Sequence, residues 1–252
     1  MITDSFRKND TPIMSPADFC GKSDDYGDVC IIFFSLDVLN KALKEFKTEV
    51  VTIVSQSIAR EPIYRIVGTR ILFYRSQMGA PSAGMMMDEA SFLTGAKTFI
   101  VFGSCGILRQ DIAKGKIIVP TCAYRDEGFS YHFLPNSDYV SLDTAEFTAS
   151  FMAKEGIPFI QGKVWTCDAF YHETKEEMAL RVKEGCIAVD MECAGLAALS
   201  KYRHFSFYTF FFGGDLLDAP VWNHENLGDE KEKRSQQSAF QLAYLLASQL
   251  SH

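Results

Sequence analysis

Two short runs constrain this chain most: Val29–Phe34 near the start and Phe205–Phe212 near the end are apolar on both faces. A strand with one wet face alternates apolar and polar residues. A run that does not alternate must be covered on both sides, as in a parallel or mixed sheet with helices on its faces. The rest of the chain supplies the covers. Val38, Leu39, Ala42, Leu43 and Phe46 recur at helical spacing, and Thr144–Lys154, Glu176–Glu184 and Glu232–Leu250 read as helices, the first two closed by Gly156 and Gly185. Glu49–Ser57, Ile63–Val67, Ile71–Tyr74, Thr98–Phe102, Lys116–Val119 and Phe159–Trp165 read as strands. Met78-Gly79-Ala80-Pro81 interrupts the pattern, with Ser82 placed to cap a helix that stops at Gly95. Asp126–Leu134 and Gly213–Asp229 read as loops. Strands alternating with helices predict one α/β domain over residues 1–252, a mixed central β-sheet flanked by helices, with 1–28 as an extended N-terminal arm lying on the surface or on a partner.

Charge and cysteine usage narrow the function. A formal net charge of -7 argues against a nucleic-acid polymer or an anionic membrane as main partner, since either needs a basic surface. Seven cysteines, an odd number with no C-x-x-C pair, suggest reduced core thiols. His132, His172, His204, His224 and His252 have no metal-ligand spacing, so no metal site is expected. The first residues, with Asp4, Arg7, Lys8 and Asp10, lack the apolar stretch of a signal peptide, and no apolar run is long enough to span a bilayer. The expectation is a soluble, cytoplasmic protein.

Three strand ends carry unusual residues. At Val189-Asp190-Met191-Glu192-Cys193-Ala194-Gly195 an apolar strand runs into a helix, with two carboxylates on the corner. Acids there either complement the first helical turn or face something rich in hydroxyls, because ligands of such sheets bind at the carboxyl ends of strands. Gly103-Ser104-Cys105-Gly106 is either a tight turn or a place where backbone N–H groups and a hydroxyl meet an anion. In Gly213-Gly214-Asp215 the acid is either a turn residue or a proton donor.

Taken in order, Met78-Gly79-Ala80-Pro81-Ser82, Gly103-Ser104-Cys105-Gly106, Thr166-Cys167-Asp168-Ala169-Phe170-Tyr171, Val189-Asp190-Met191-Glu192 and Gly214-Asp215 resemble the nucleoside phosphorylase and nucleosidase superfamily. This is the family of hexameric-type purine nucleoside phosphorylase, uridine phosphorylase and methylthioadenosine nucleosidase. The resemblance implies that Glu192 bonds the ribose 2′- and 3′-hydroxyls, with Met191 packed under the sugar. It implies that Ser104 faces phosphate, that Cys105 and Gly106 border the base, that Trp165 or Phe170 forms an aromatic wall, and that Asp215 protonates a departing purine at N7. It further implies no cofactor beyond inorganic phosphate as co-substrate, and a homo-oligomer, a dimer or a ring of dimers.

The chain also departs from that family. The Gly-Asp-Pro-x-Arg turn of the phosphorylases is replaced by Phe34-Ser35-Leu36-Asp37, and an arginine expected two residues before the Gly-Ser pair is Val101. Arg60, Arg65, Arg109 and Arg125 are the alternative anion ligands, Arg60 and Arg125 foremost. The loop Arg125–His132 is either a cover for the pocket or a surface loop. The uracil-reading pair of uridine phosphorylases is missing around Thr174 and Glu176, which tilts the expectation toward purine over uridine. The expected activity is therefore nucleoside phosphorylase, phosphate-dependent cleavage to free base and ribose 1-phosphate. The alternatives are a nucleosidase that uses water and a silent nucleoside-binding homologue.

Overall fold

Ten strands join one mixed sheet, and five of them close on themselves. The computed structural model describes residues 1–7, 11–54, 60–219 and 230–251, apart from the side chains of 230–237. In chain order the strands are β1 (Val29–Phe33), β2 (Thr48–Val54), β3 (Glu61–Ile66), β4 (Ile71–Arg75), β5 (Thr98–Ile107), β6 (Ile117–Asp126), β7 (Tyr139–Ser141), β8 (Phe159–Cys167), β9 (Cys186–Asp190) and β10 (Ser206–Leu216). The helices are α1 (Pro16–Phe19), α2 (Leu36–Glu45), α3 (Ala80–Thr94), α4 (Gln110–Ala113), α5 (Ala145–Lys154), α6 (Lys175–Lys183), α7 (Cys193–Arg203) and α8 (Glu230–Leu250). Strand β5 pairs in parallel with β1 and β10 and antiparallel with β9, while β9, β8, β6 and β10 follow one another back to β5. From β5 the sheet continues outward through β1, β4, β3 and β2.

The two runs that do not alternate lie where that pattern demands. Val29–Phe33 is buried at every position, and Phe210, Phe211 and Phe212 of β10 are buried in succession. Phe240 of α8 closes the core edge-on against Phe33 and Phe73, with ring centroids 5.6 and 5.4 Å apart. Each such fully buried aromatic contributes roughly 1.5–3 kcal/mol of apolar transfer. The result is a single α/β domain with a mixed sheet flanked by helices, as its sequence pattern demands. Among the described residues no helix is long and apolar enough to cross a membrane.

Four boundaries differ from expectation for physical reasons. The first is β6, expected over Lys116–Val119, which runs on through Pro120 to Asp126 by shifting its register on β8 beside the proline. Helix α3 starts at Ala80, not after Ser82, because Pro81 is tolerated in a first turn and Gly79, at φ +89°, makes the reversal that precedes it. The segments Gly103–Gly106 and Gly213–Gly214, read as a possible turn and as loop, stay within β5 and β10, which pair with each other along their length. The end of the Glu49–Ser57 strand and residues 220–229 of the expected loop lie outside the described residues. In the N-terminal arm, the N–H groups of Asp24 and Tyr26 donate to the carbonyls of Leu93 and Thr94, which ties it to the end of α3 of its own chain.

Candidate active site

The carboxyl ends of β1, β5, β9 and β10 open into one cleft, lined by Ser35, Met78, Ser104, Gly106, Phe170, Glu173, Met191, Glu192 and Asp215 among others. Strand ends are where side chains leave the sheet without partners across it, so a cleft there is a consequence of the topology.

The corner between β9 and α7 holds two acids with different surroundings. Asp190 Oδ2 accepts the backbone N–H groups of Glu192 at 2.8 Å and Cys193 at 2.6 Å, and its Oδ1 accepts the Thr166 hydroxyl at 2.8 Å. Thr166 Oγ1 in turn accepts the N–H of Ala194 at 3.0 Å. Asp190 and Thr166 together satisfy the donors that open α7, as the helix-start reading of this acid required. Glu192 is held differently: its Oε1 accepts the Gly79 N–H at 2.7 Å. That donor reaches it because Gly195 has no side chain; a Cβ there would stand 2.6 Å from the Cβ of Ala80, so α3 and α7 start against each other. Burial pushes the Glu192 carboxyl up to about 8, the charge of Asp190 pushes the same way, and the Gly79 N–H opposes them. Burial also raises Asp190, to about 6, against the pull of its three donors.

On the facing strands, Ser104 is exposed to the cleft while Cys105 points inward, buried, its thiol pushed well up by burial. Gly106 is required by close approach: a Cβ would lie 2.3 Å from Leu217 Cδ1, 2.9 Å from Val189 Cγ1 and 3.4 Å from Asp215 Oδ1. Opposite it, the pairing register of β10 skips between Gly213 and Asp215, leaving Gly214 as the extra residue of a bulge. A bulge re-aims the side chain that follows it, and Asp215 lines the cleft. Phe170, 47% exposed, and Glu173 enter from the loop after β8. Burial pushes Glu173 up to about 7, followed by the charges of Asp215 and Asp190.

Of the residues singled out in the sequence, Ser104, Cys105, Gly106, Phe170, Met191, Glu192 and Asp215 share this cleft. Three do not. Trp165, within β8, is fully buried, and its Nε1–H donates to Asp126 at 2.9 Å, so of the two aromatic candidates only Phe170 stands at the cleft. Arg125 is 2% exposed and is a loop latch: its guanidinium donates to Ser130 Oγ at 2.8 Å and to the carbonyls of Pro135 and Ser137, and stacks on Tyr131. Arg60 is exposed just before β3 and is not among the residues that line the cleft. Arg65 pairs with Glu49 and Arg109 with Asp111. Among the described residues, no lysine, arginine or histidine lines the cleft. The loop after Arg125 buttresses helices, with Phe129 lying where side chains at Gly84 and Gly195 would be. Glu173 was missed because it belongs to no motif; only its place next to Phe170 hinted at it.

The model of the phosphorylase superfamily matches residues 29–250. A DeoD-type purine nucleoside phosphorylase of Myxococcus xanthus (strain DK1622) is 30% identical over 193 residues, 73% of this chain and 75% of that protein. One of Limosilactobacillus reuteri (strain DSM 20016) is 30% identical over 171 residues, 65% of this chain and 67% of its own length. Among solved structures, a futalosine hydrolase mutant of Helicobacter pylori strain 26695 superposes with a TM-score of 0.68 at 14% identity, covering 90% of this chain and 100% of that one. The purine nucleoside phosphorylase of Toxoplasma gondii in complex with immucillin-H gives 0.69 at 19% identity, covering 88% and 92%. At these identities the structures share the fold.

Proposed function

The chain belongs to the phosphorylase superfamily, and we propose that within it the protein cleaves the N-glycosidic bond of a purine nucleoside with inorganic phosphate, releasing free base and ribose 1-phosphate. The observation that carries this reading is that Glu192 and Asp215 line one cleft, with Met191 beside the first and the Ser104–Gly106 strand beside the second.

Breaking this bond builds positive charge on the sugar and negative charge on the base. A carboxyl group fixed at the ribose hydroxyls and an acid at N7 therefore act more on the transition state than on the ground state. Glu192 is fixed by the Gly79 N–H before any ligand arrives. Its raised pKa means that the empty cleft holds it largely protonated at neutral pH. Two sugar hydroxyls donating to it favour the carboxylate, so nucleoside binding drives off its proton. Met191 packs under the sugar, Phe170 flanks the base, Cys105 and Gly106 border it, and Asp215 supplies the proton to N7. General acid assistance of this kind is worth on the order of a hundredfold to ten-thousandfold. Ser104, exposed in the cleft, donates to the phosphate. The reading calls for no cofactor, and for a homodimer or a ring of dimers, which sedimentation tests directly.

A second reading has one specific observation behind it. Among the described residues the cleft is lined by no cation, and phosphate recognition ordinarily relies on guanidinium groups, whereas water as nucleophile needs none. Product analysis with inosine, adenosine and uridine, with and without phosphate, separates the two. Ribose 1-phosphate formed only with phosphate present supports the phosphorylase. Free ribose at a rate indifferent to phosphate replaces it with a nucleosidase, and binding without cleavage of any of the three overturns both.

A further inference from the structure

Glu173 lines the same cleft as Asp215, yet no motif in the chain accounts for it. It sits in the loop between Phe170 and α6, and the usual duty of an acid at such a position, closing the helix start, is already performed by its neighbours. Thr174 Oγ1 accepts the Glu177 N–H at 3.2 Å, and the Glu177 carboxylate answers Thr174. The Glu173 carboxyl instead stands partly buried in a cavity wall, acted on by burial and by like charge alone.

The groups that face it are Asp215 from β10 and Asp190 from β9, while Cys167 at the end of β8 feels its charge in return. Its chain neighbours His172 and Lys175 are exposed, and among the described residues no cation lines the cleft to fix it in the charged form. It is thus an acid that can carry or release a proton within the working range, next to the acid assigned to N7. On a purine, N7 and the six-substituent lie on the same edge of the ring. On the other side of N7, C8–H offers no hydrogen bond, so a second carboxyl group in the same cleft wall that bonds this edge meets it at the six-position.

Resting on the reading of the cleft as a purine nucleoside site, we propose that Glu173 reads the six-position of the base. As a carboxylate it accepts a hydrogen bond from a 6-amino group; as a carboxylic acid it donates one to a 6-oxo group. Base preference then depends on pH, with 6-oxopurines favoured on the acid side of about 7 and 6-aminopurines on the basic side. Glu192 does not disturb the comparison, because both nucleosides present the same ribose.

The test is the ratio of kcat/KM for adenosine to that for inosine, followed from about pH 6 to about pH 8 in the wild type, Glu173→Gln and Glu173→Leu. A single hydrogen bond is worth roughly a factor of ten, so the wild-type ratio is expected to rise about tenfold across this range. With Gln, which offers both an acceptor and a donor and does not titrate, the ratio becomes flat; with Leu it is flat and both substrates weaken. The same slope in Glu173→Gln as in the wild type overturns the proposal. Calorimetry of adenine and hypoxanthine binding to the same three proteins gives the ratio independently of turnover. A wild type that binds the two bases with this pH dependence but cleaves neither nucleoside refutes the enzyme reading and leaves the assignment of Glu173 intact. A wild type that cleaves both at a ratio indifferent to pH does the reverse, and failure to bind either base refutes both.

Discussion

The corner after β9 and the loop after β8 deliver acids to one cleft, but they are made of different material. At the corner, Asp190 and Glu192 are 5% and 8% exposed, and backbone N–H groups of α7 and of Gly79 hold them. In the loop, Phe170 is 47% and Tyr171 97% exposed, and Glu173 has burial and repulsion acting on it rather than donors. A carboxylate that must meet a developing charge gains from being fixed in advance, since reorganisation then costs nothing at the moment of reaction. A group that discriminates between bases gains from being able to change protonation state. Under the proposed function, this difference places rate with the corner and selectivity with the loop.

The largest effect that could break this division is at Glu192. Glu192→Ala is expected to lower kcat by about a hundredfold to a thousandfold, measured with the best substrate from product analysis, while circular dichroism stays unchanged. Activity equal to the wild type would remove the corner from the chemistry. The stability of the Gln variant adds a signed check. Burial raises the folded-state pKa of Glu192 from 4.5 to about 8, so the folded protein holds this proton more tightly than the unfolded chain. The wild type therefore has its full share of stability below about 4.5 and loses it as pH rises through about 8. Glu192→Gln cannot lose that proton, and its Tm should exceed the wild-type value by a margin that widens from about pH 5 to about pH 8. A margin that narrows contradicts the assignment.

Two residues away the opposite outcome is expected. Asp190→Ala removes the acceptor for two helix-opening N–H groups and for Thr166. Loss of such a cap costs about 2 kcal/mol at the upper end of its range, which is about 4–8 °C in Tm for a chain of this size. Thermal denaturation of the two variants side by side sharpens the contrast: one acid sacrifices stability for the site, the other holds the site's frame. If Asp190→Ala melts like the wild type, the frame lies elsewhere.

How much of this was legible beforehand varied with the kind of signal. Unalternating apolar runs placed β1 and β10 in the middle of a covered sheet, because burial on both faces leaves a mark on composition. Glycines misled at Gly103–Gly106 and Gly213–Gly214, where they serve close packing within paired strands: Cβ atoms at Gly106 and Gly213 would meet Leu217 and Ile107 at 2.3 and 2.9 Å. Nothing local separates a glycine needed for φ from one needed for space. Arg125 and Trp165 misled for a related reason. Their types suit an anion and a base, but a guanidinium can equally satisfy carbonyls, and an indole can fill a core. Glu173 was invisible because its place in the cleft follows from the fold bringing the loop after β8 up to β10.

Gly106 allows the space argument to be tested at a smaller scale. Gly106→Ala forces Leu217 and Val189 aside at the edge assigned to the base; the first can swing, while the branched Val189 yields less. The expected outcome is a KM for purine nucleosides raised about tenfold, in line with about 1–3 kcal/mol for overpacking, with kcat changed less. A fall in kcat with KM unchanged would mean that this edge meets the transition state rather than the base.

The smallest effect is the one that checks the boundary between core and cleft. Trp165 and Phe170 stand on either side of Cys167, and a sequence alone offers both as the aromatic wall. Trp165 lies in a cluster with Leu108, Cys167, Cys186 and Val189, its ring nitrogen bonded to Asp126. Trp165→Phe removes that bond, whose net worth is about 1 kcal/mol, and the smaller ring leaves part of the space empty, so Tm should fall by a few degrees. Nucleoside kinetics should stay within about twofold of the wild type, because no atom of Trp165 reaches the cleft. Phe170→Ala should do the converse, raising KM with little change in Tm, since the ring is half exposed and contributes little to the core. If the two variants exchange these signatures, the base lies on the β8 side of the strand and the loop after it is not the reader of the base.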